Sequence, residues 1–117
     1  MTVSECYALI GGDYQDVFSR LMKDERILKY LTKFLDDREI DRLSPALAEG
    51  AWEEAFRITH NLKGVSLNLG LTPLAVSASA LCEELRGGKP AIDVSGMLAD
   101  VHAAYQKVTD GIRQLIA

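Results

Sequence analysis

Val94, Met97, Val101, Tyr105, Val108, Ile112 and Leu115 stand three or four residues apart along the last part of the chain. That spacing lays one apolar stripe along a helix and forms the seam by which helices pack side by side. The same period recurs through nearly all of the sequence. No segment alternates apolar and polar residues over a useful length, so a sheet is excluded as the organising element. The chain has to bury its stripes helix against helix.

Stop and start residues divide the pattern into elements. Val3, Cys6, Tyr7 and Ile10 predict a short first helix that ends at Gly11-Gly12. Asp13 is the expected N-cap of a second, carrying Tyr14, Val17, Phe18 and Leu21. Asp24 is expected to cap a third, with Ile27, Leu28, Leu31, Phe34 and Leu35 inward, before a turn at Asp36-Asp37-Arg38. Ile40, Leu43 and Leu47 predict a fourth that stops at Gly50, although Pro45 fits it only in a first turn or at a kink. A longer helix runs from Ala51 to Leu69 and closes at Gly70, with Glu53 and Glu54 where the helix dipole favours acids. Thr72 is the expected cap of the next, with Pro73 at its first position. Leu74, Ala78, Leu81, Cys82 and Leu85 form its stripe, and Gly87-Gly88-Lys89-Pro90 ends it. Short connections between long amphipathic helices imply antiparallel neighbours. The expected fold is all-α, an antiparallel four-helix bundle with additional short N-terminal helices.

At 117 residues the chain is read as one domain with a single core. Its net charge of -4 and pI near 5.1 lack the basic stripe that nucleic acid would favour. The apolar runs are too short to span a membrane, and Met-Thr-Val-Ser-Glu shows no signal-peptide pattern. Cys6 and Cys82 lack a CxxC partner or metal-ligand spacing, which favours a reducing compartment. The expectation is a cytoplasmic protein with no membrane or nucleic-acid partner.

The chemistry concentrates in Thr59-His60-Asn61-Leu62-Lys63-Gly64. On a helical wheel Ala55, Ile58, Thr59, Leu62, Val65, Ser66 and Leu69 gather on one side, and His60 falls roughly 160° from its middle. Lys63 and Gly64 are its neighbours at i+3 and i+4. Phe56 and Leu67 flank it as either core residues or an apolar docking rim. An exposed helical histidine can be a metal ligand, a general base, a phosphoryl acceptor or a solvated surface residue. No His, Cys or acid lies at i+3 or i+4 to complete a metal site, so none is assigned. Acid-base catalysis needs an orienting partner and a substrate pocket. Phosphoryl acceptance asks only for a nucleophilic, accessible imidazole. Lys63 is placed to meet phosphoryl oxygens, and Gly64 leaves room for a donor to approach. His102 reads as a surface residue of the last helix. Asp36, Asp37, Arg38, Glu39 and Asp41 read as a solvated turn.

The run His60-Asn61-Leu62-Lys63-Gly64 followed by Leu69-Gly70 resembles the HxxKG...LG signature of histidine-containing phosphotransfer (HPt) domains. The resemblance covers residues 25 to 116 and leaves the first 24 as a local elaboration. It implies a phosphorelay carrier in which His60 accepts a phosphoryl group and exchanges it with an aspartate of a response-regulator receiver domain. By the same match Lys63 contacts the phosphoryl oxygens, Gly64 gives steric access, and Phe56, Arg57, Asn61 and Leu67 form the receiver-docking face. Receiver domains or a histidine kinase are the implied partners of a monomeric chain. No cofactor is expected on it, with Mg2+ on the partner receiver domain instead. Two departures stand out: Asn61 follows the histidine where a small or hydroxylated residue is usual, and Ala51 replaces an acid before the helix. No glycine-rich phosphate loop is present, so the chain is not read as an autonomous kinase. Two other readings remain open: a helical adaptor that docks receiver domains without being phosphorylated, and a small histidine-dependent hydrolase.

Overall fold

In the computed structural model, which describes residues 1–117, every regular element is helical. The elements are α1 (Val3–Ile10), α2 (Tyr14–Leu21), α3 (Asp24–Asp36), a 3₁₀ turn (Glu39–Arg42), α4 (Leu43–Glu49), α5 (Trp52–Asn68), α6 (Thr72–Leu85) and α7 (Ser95–Ile116). The fold is all-α. No helix is long and apolar enough to cross a membrane.

The most extensive contact joins α5 and α6, which the short connection at residues 69–71 folds back on each other. Small residues explain how close they come. Thr59 and Ser66 of α5 are buried, as are Ala75, Ala78 and Cys82 of α6, and helices approach as closely as the side chains between them allow. The α7 helix lies along α6 and also meets α1 and α3. At 22 residues it is about 33 Å long, most of the 42 Å long axis of the molecule. Leu71, Leu74, Leu81, Leu85, Ile58 and Ile112 are all at most 1% exposed. Each such side chain stabilises the fold by about 1.5–3 kcal/mol relative to an exposed one. Cys6 and Cys82 are buried free thiols.

The first 24 residues are part of this core. Cys6, Tyr7 and Ile10 of α1 are fully buried. A Cβ at Gly111 of α7 would overlap the Ile10 Cγ2 methyl, so glycine is what lets α1 seat there. The same segment closes the C-terminal end of α5, where orphan carbonyls need donors. The Tyr7 hydroxyl donates to the Leu69 carbonyl at 2.7 Å, and the Asp13 N–H donates to Gly70 at 2.8 Å. The Arg20 guanidinium donates to the Leu67 and Asn68 carbonyls at 3.1 and 2.7 Å. Asp16 holds that guanidinium in a bidentate pair at 2.7 Å. Gly70 has φ +65, and a Cβ there would lie 2.7 Å from the Asp13 carbonyl oxygen.

Several local expectations need correction. Asp24 does not cap α3. Lys23 occupies the N-cap without a side-chain bond, and the Asp24 carboxylate accepts the Tyr14 hydroxyl instead. Thr72 does not cap α6; the fully buried Leu71 fixes its start, which places Thr72 and Pro73 in the first turn. Ile40 belongs to the 3₁₀ turn, and the break after it leaves Pro45 in the first turn of α4, where its missing N–H is harmless. Leu28 and Val65, expected on inward faces, are instead 36% and 40% exposed.

Candidate functional site

The α5 helix begins after Gly50, whose φ of +73 turns the chain at the end of α4. Ala51 offers no capping side chain. Glu54, in the first turn, instead pairs with Arg42 at 3.0 Å and ties the start of α5 to the 3₁₀ turn. Further along, Ala55, Ile58, Thr59, Ser66 and Leu69 are buried. The Thr59 hydroxyl donates to the Ala55 carbonyl at 3.0 Å, which lets a polar side chain sit in the α5–α6 contact.

With that face buried, His60 is exposed. The side-chain hydrogen bonds of α5 are made by Glu54, Arg57, Thr59 and Asn61, and His60 makes none. Its nearest organised neighbour is the half-buried Phe56 ring, 5.8 Å away between centroids and tilted by 37°. The Arg86 guanidinium at the end of α6 lies 5.4 Å from the centroid of the same Phe56 ring. Phe56 is partly buried, packs against the core and also neighbours His60. Leu67 is 56% exposed and lies on the surface. Around the imidazole is an open depression lined by Glu53, Glu54, Phe56, Arg57 and His60.

Lys63 is half-buried and takes no part in the ion pairs of the molecule. Gly64 is exposed, and a Cβ there would meet nothing within 4 Å. The surface next to His60 is therefore empty on that side. No three His, Cys, Asp or Glu side chains converge anywhere in the fold, and His102 is exposed on α7. No carboxylate orients the His60 ring, and no serine or cysteine lies within its hydrogen-bonding reach. The hydrolase reading finds no nucleophile, base and orienter together here.

Arg57 and Asn61 are exposed and share a partner on a neighbouring element. Both reach across to Glu39 of the 3₁₀ turn, Arg57 Nη1 at 2.5 Å and Asn61 Nδ2 at 3.2 Å. The hydrogen bond from Arg57 is the main reason that the Glu39 carboxyl is held below its usual range, and Asn61 adds to it. Glu39 is thus part of the site's surroundings and not a residue of a solvated turn. Arg38 does pair locally, with Asp41 at 3.0 Å. Only the i,i+4 relation of Arg57 and Asn61 signals a shared partner in the sequence; nothing there names Glu39 or Arg86.

A family model of the Hpt domain matches residues 29–116, about three quarters of the chain. The match spans α5 and the whole of the site. No curated protein and no solved structure gives a significant match. Hpt domains are phosphocarriers, not kinases, and they act with receiver domains and kinases. The chain belongs to the Hpt domain family, the histidine phosphotransfer modules of two-component phosphorelays.

Proposed function

We propose that this chain is a phosphorelay carrier in which His60 takes a phosphoryl group from the aspartyl phosphate of a receiver domain and returns one in the reverse direction. The observation that carries the reading is the exposed, hydrogen-bond-free imidazole in mid-helix, with Lys63 and an unobstructed Gly64 one turn on. In the neutral ring one nitrogen keeps its lone pair while the other holds the proton. The lone pair attacks phosphorus, the N–P bond forms, and the P–O bond to the aspartate breaks. The carboxylate leaves with the bonding electrons. Attack needs no base from this chain, and the product ring releases its remaining N–H proton to solvent as pH dictates. The Lys63 ammonium reaches oxygens whose charge it offsets. Phe56 and Leu67 form the apolar part of the surface that a receiver covers, while Arg57 and Asn61 border it. In this reading Mg2+ sits on the receiver domain and the chain needs no cofactor.

The test is intact-mass analysis after incubation with a phosphorylated receiver domain. The expected result is a gain of one phosphoryl group that survives neutral pH, is lost in acid, and is absent from His60→Gln with its helicity unchanged. Full incorporation into His60→Gln would overturn the assignment. Receiver binding without any mass gain would support the adaptor reading instead.

A further inference from the structure

Arg57 lies one turn before His60, and residues three apart are neighbours on a helix surface. It is offset from His60 by only about 60° around the axis, so its guanidinium can reach a group carried by the imidazole. In the unphosphorylated chain it goes elsewhere. Its Nη1 donates to Glu39, whose other carboxylate oxygen accepts from Asn61, the residue immediately after His60. One carboxylate thus braces the two residues on either side of the histidine.

The Arg57 side chain is 53% exposed and that of Glu39 33% exposed. Such a surface pair contributes little to folding, so the fold does not depend on it. A phosphoryl group changes the competition. It brings close to two negative charges and three acceptor oxygens, against one charge on a carboxylate. A guanidinium fork matches that array in bidentate fashion. We propose that Arg57 is a phosphoryl-binding residue held in reserve by Glu39, exchanging the carboxylate for the phosphoryl group once His60 is modified. Glu39 is then a positioning residue that sets how strongly the phosphorylated state is held. The inference rests on the reading of His60 as the acceptor.

Competition has a signature that a structural ion pair lacks. Every phosphorylation must break the Arg57–Glu39 contact, so weakening Glu39 favours phospho-His60, while removing Arg57 disfavours it. Removing either partner of a merely structural pair would move the equilibrium in one common direction or leave it still. The groups facing Glu39 are Arg57, Asn61 and Glu54 from α5, Asp37 from the turn after α3 and Tyr105 from α7; Arg57 and Asn61 lower its carboxyl, and Glu54 opposes them. Departure of Arg57 should therefore let Glu39 titrate at higher pH.

The experiment uses the full chain phosphorylated with phosphoramidate, then equilibrated with the unphosphorylated receiver domain that exchanges with it. The expected ratio of phospho-chain to phospho-receiver rises about five- to tenfold in Glu39→Gln and falls by about as much in Arg57→Gln. Arg57→Lys should fall between Arg57→Gln and the unmodified sequence, since it keeps the charge and loses the fork. In the chain without substitutions, the NMR titration midpoint of the Glu39 carboxyl should move up on phosphorylation. Shifts of common sign, no shift, or an unmoved Glu39 midpoint would overturn the inference while leaving His60 as acceptor. Absence of phosphate from His60 would instead remove that underlying reading and the inference with it.

Discussion

The Tyr7 hydroxyl donates a 2.7 Å hydrogen bond to the carbonyl of Leu69, 62 residues away, and so joins the first helix to the end of the helix that carries His60. Tyr7 is fully buried, and burial pushes its hydroxyl far above the ordinary phenol range, so the group remains a donor at every working pH. Tyr7→Phe would leave the Leu69 carbonyl without this partner in a site that is only 3% exposed. The expected loss is about 1–3 kcal/mol, the cost of leaving a buried acceptor unpaired. Urea unfolding checks it, with His60 phosphorylation by phosphoramidate expected to be unchanged. An unaltered midpoint would mean that the carbonyl finds water or relaxes.

A second closure at the same helix end depends on charge. Arg20 reaches the last α5 carbonyls, where a cation also meets the negative end of the helix dipole, and Asp16 holds it there. The hydrogen bonds from Arg20 are the main cause of the lowered Asp16 pKa. A carboxyl whose folded-state value is lowered contributes stability that is present above its unfolded value and lost as pH falls through the folded one. The melting temperature should therefore drop as pH falls below about 4, and the drop should be smaller in Asp16→Asn. Superimposable acid limbs for the two proteins would show that the pair is uncoupled from folding.

Gly111→Ala should destabilise the protein although alanine is the better helix former by roughly 1 kcal/mol. The new methyl would overlap Ile10 Cγ2, and Ile10 is fully buried. Overpacking of this kind costs about 1–3 kcal/mol. The discriminating measurement is a double-mutant cycle with Ile10→Ala. The methyl should cost less in that background, because the atom it strikes is gone. Additive losses would place the strain elsewhere.

The helices were legible because each stripe, such as Val101, Val108 and Ile112 on α7, is a local pattern that tertiary contact only has to bury. The exposure of His60 followed from the same wheel. Contacts between distant exposed groups were not legible. Glu39 meets Arg57 and Asn61 across 18 and 22 residues because a 3₁₀ turn happens to present it there, and no spacing rule encodes that. Asp13 caps α2 as its position suggests, but the caps at Asp24 and Thr72 failed for a related reason. Asp24 has a tyrosine hydroxyl to bond, and Thr72 follows a buried leucine that decides where α6 begins. The role of the first helix was hidden as well, since its apolar stripe looks the same whether it decorates a bundle or caps the His60 helix.

Gly64 offers the sharpest separation between a docking surface and a reactive side chain. It sits in mid-helix, where glycine costs about 1 kcal/mol relative to alanine, yet a Cβ there would touch nothing within 4 Å. The fold does not require the glycine. Gly64→Ala should therefore raise the melting temperature by a few degrees, the shift that about 1 kcal/mol produces in a domain of this size. Gly64→Gln should also fold, but its side chain would project one turn from His60 into the space that an approaching receiver occupies. Phosphorylation by a receiver domain should fall sharply in that variant, while phosphoramidate, which needs far less room, should still modify His60 at close to the normal rate. Equal loss with both donors would mean that the glutamine disturbs the imidazole itself. Normal transfer from the receiver would mean that partners approach His60 from the Phe56 side and leave Gly64 uncovered.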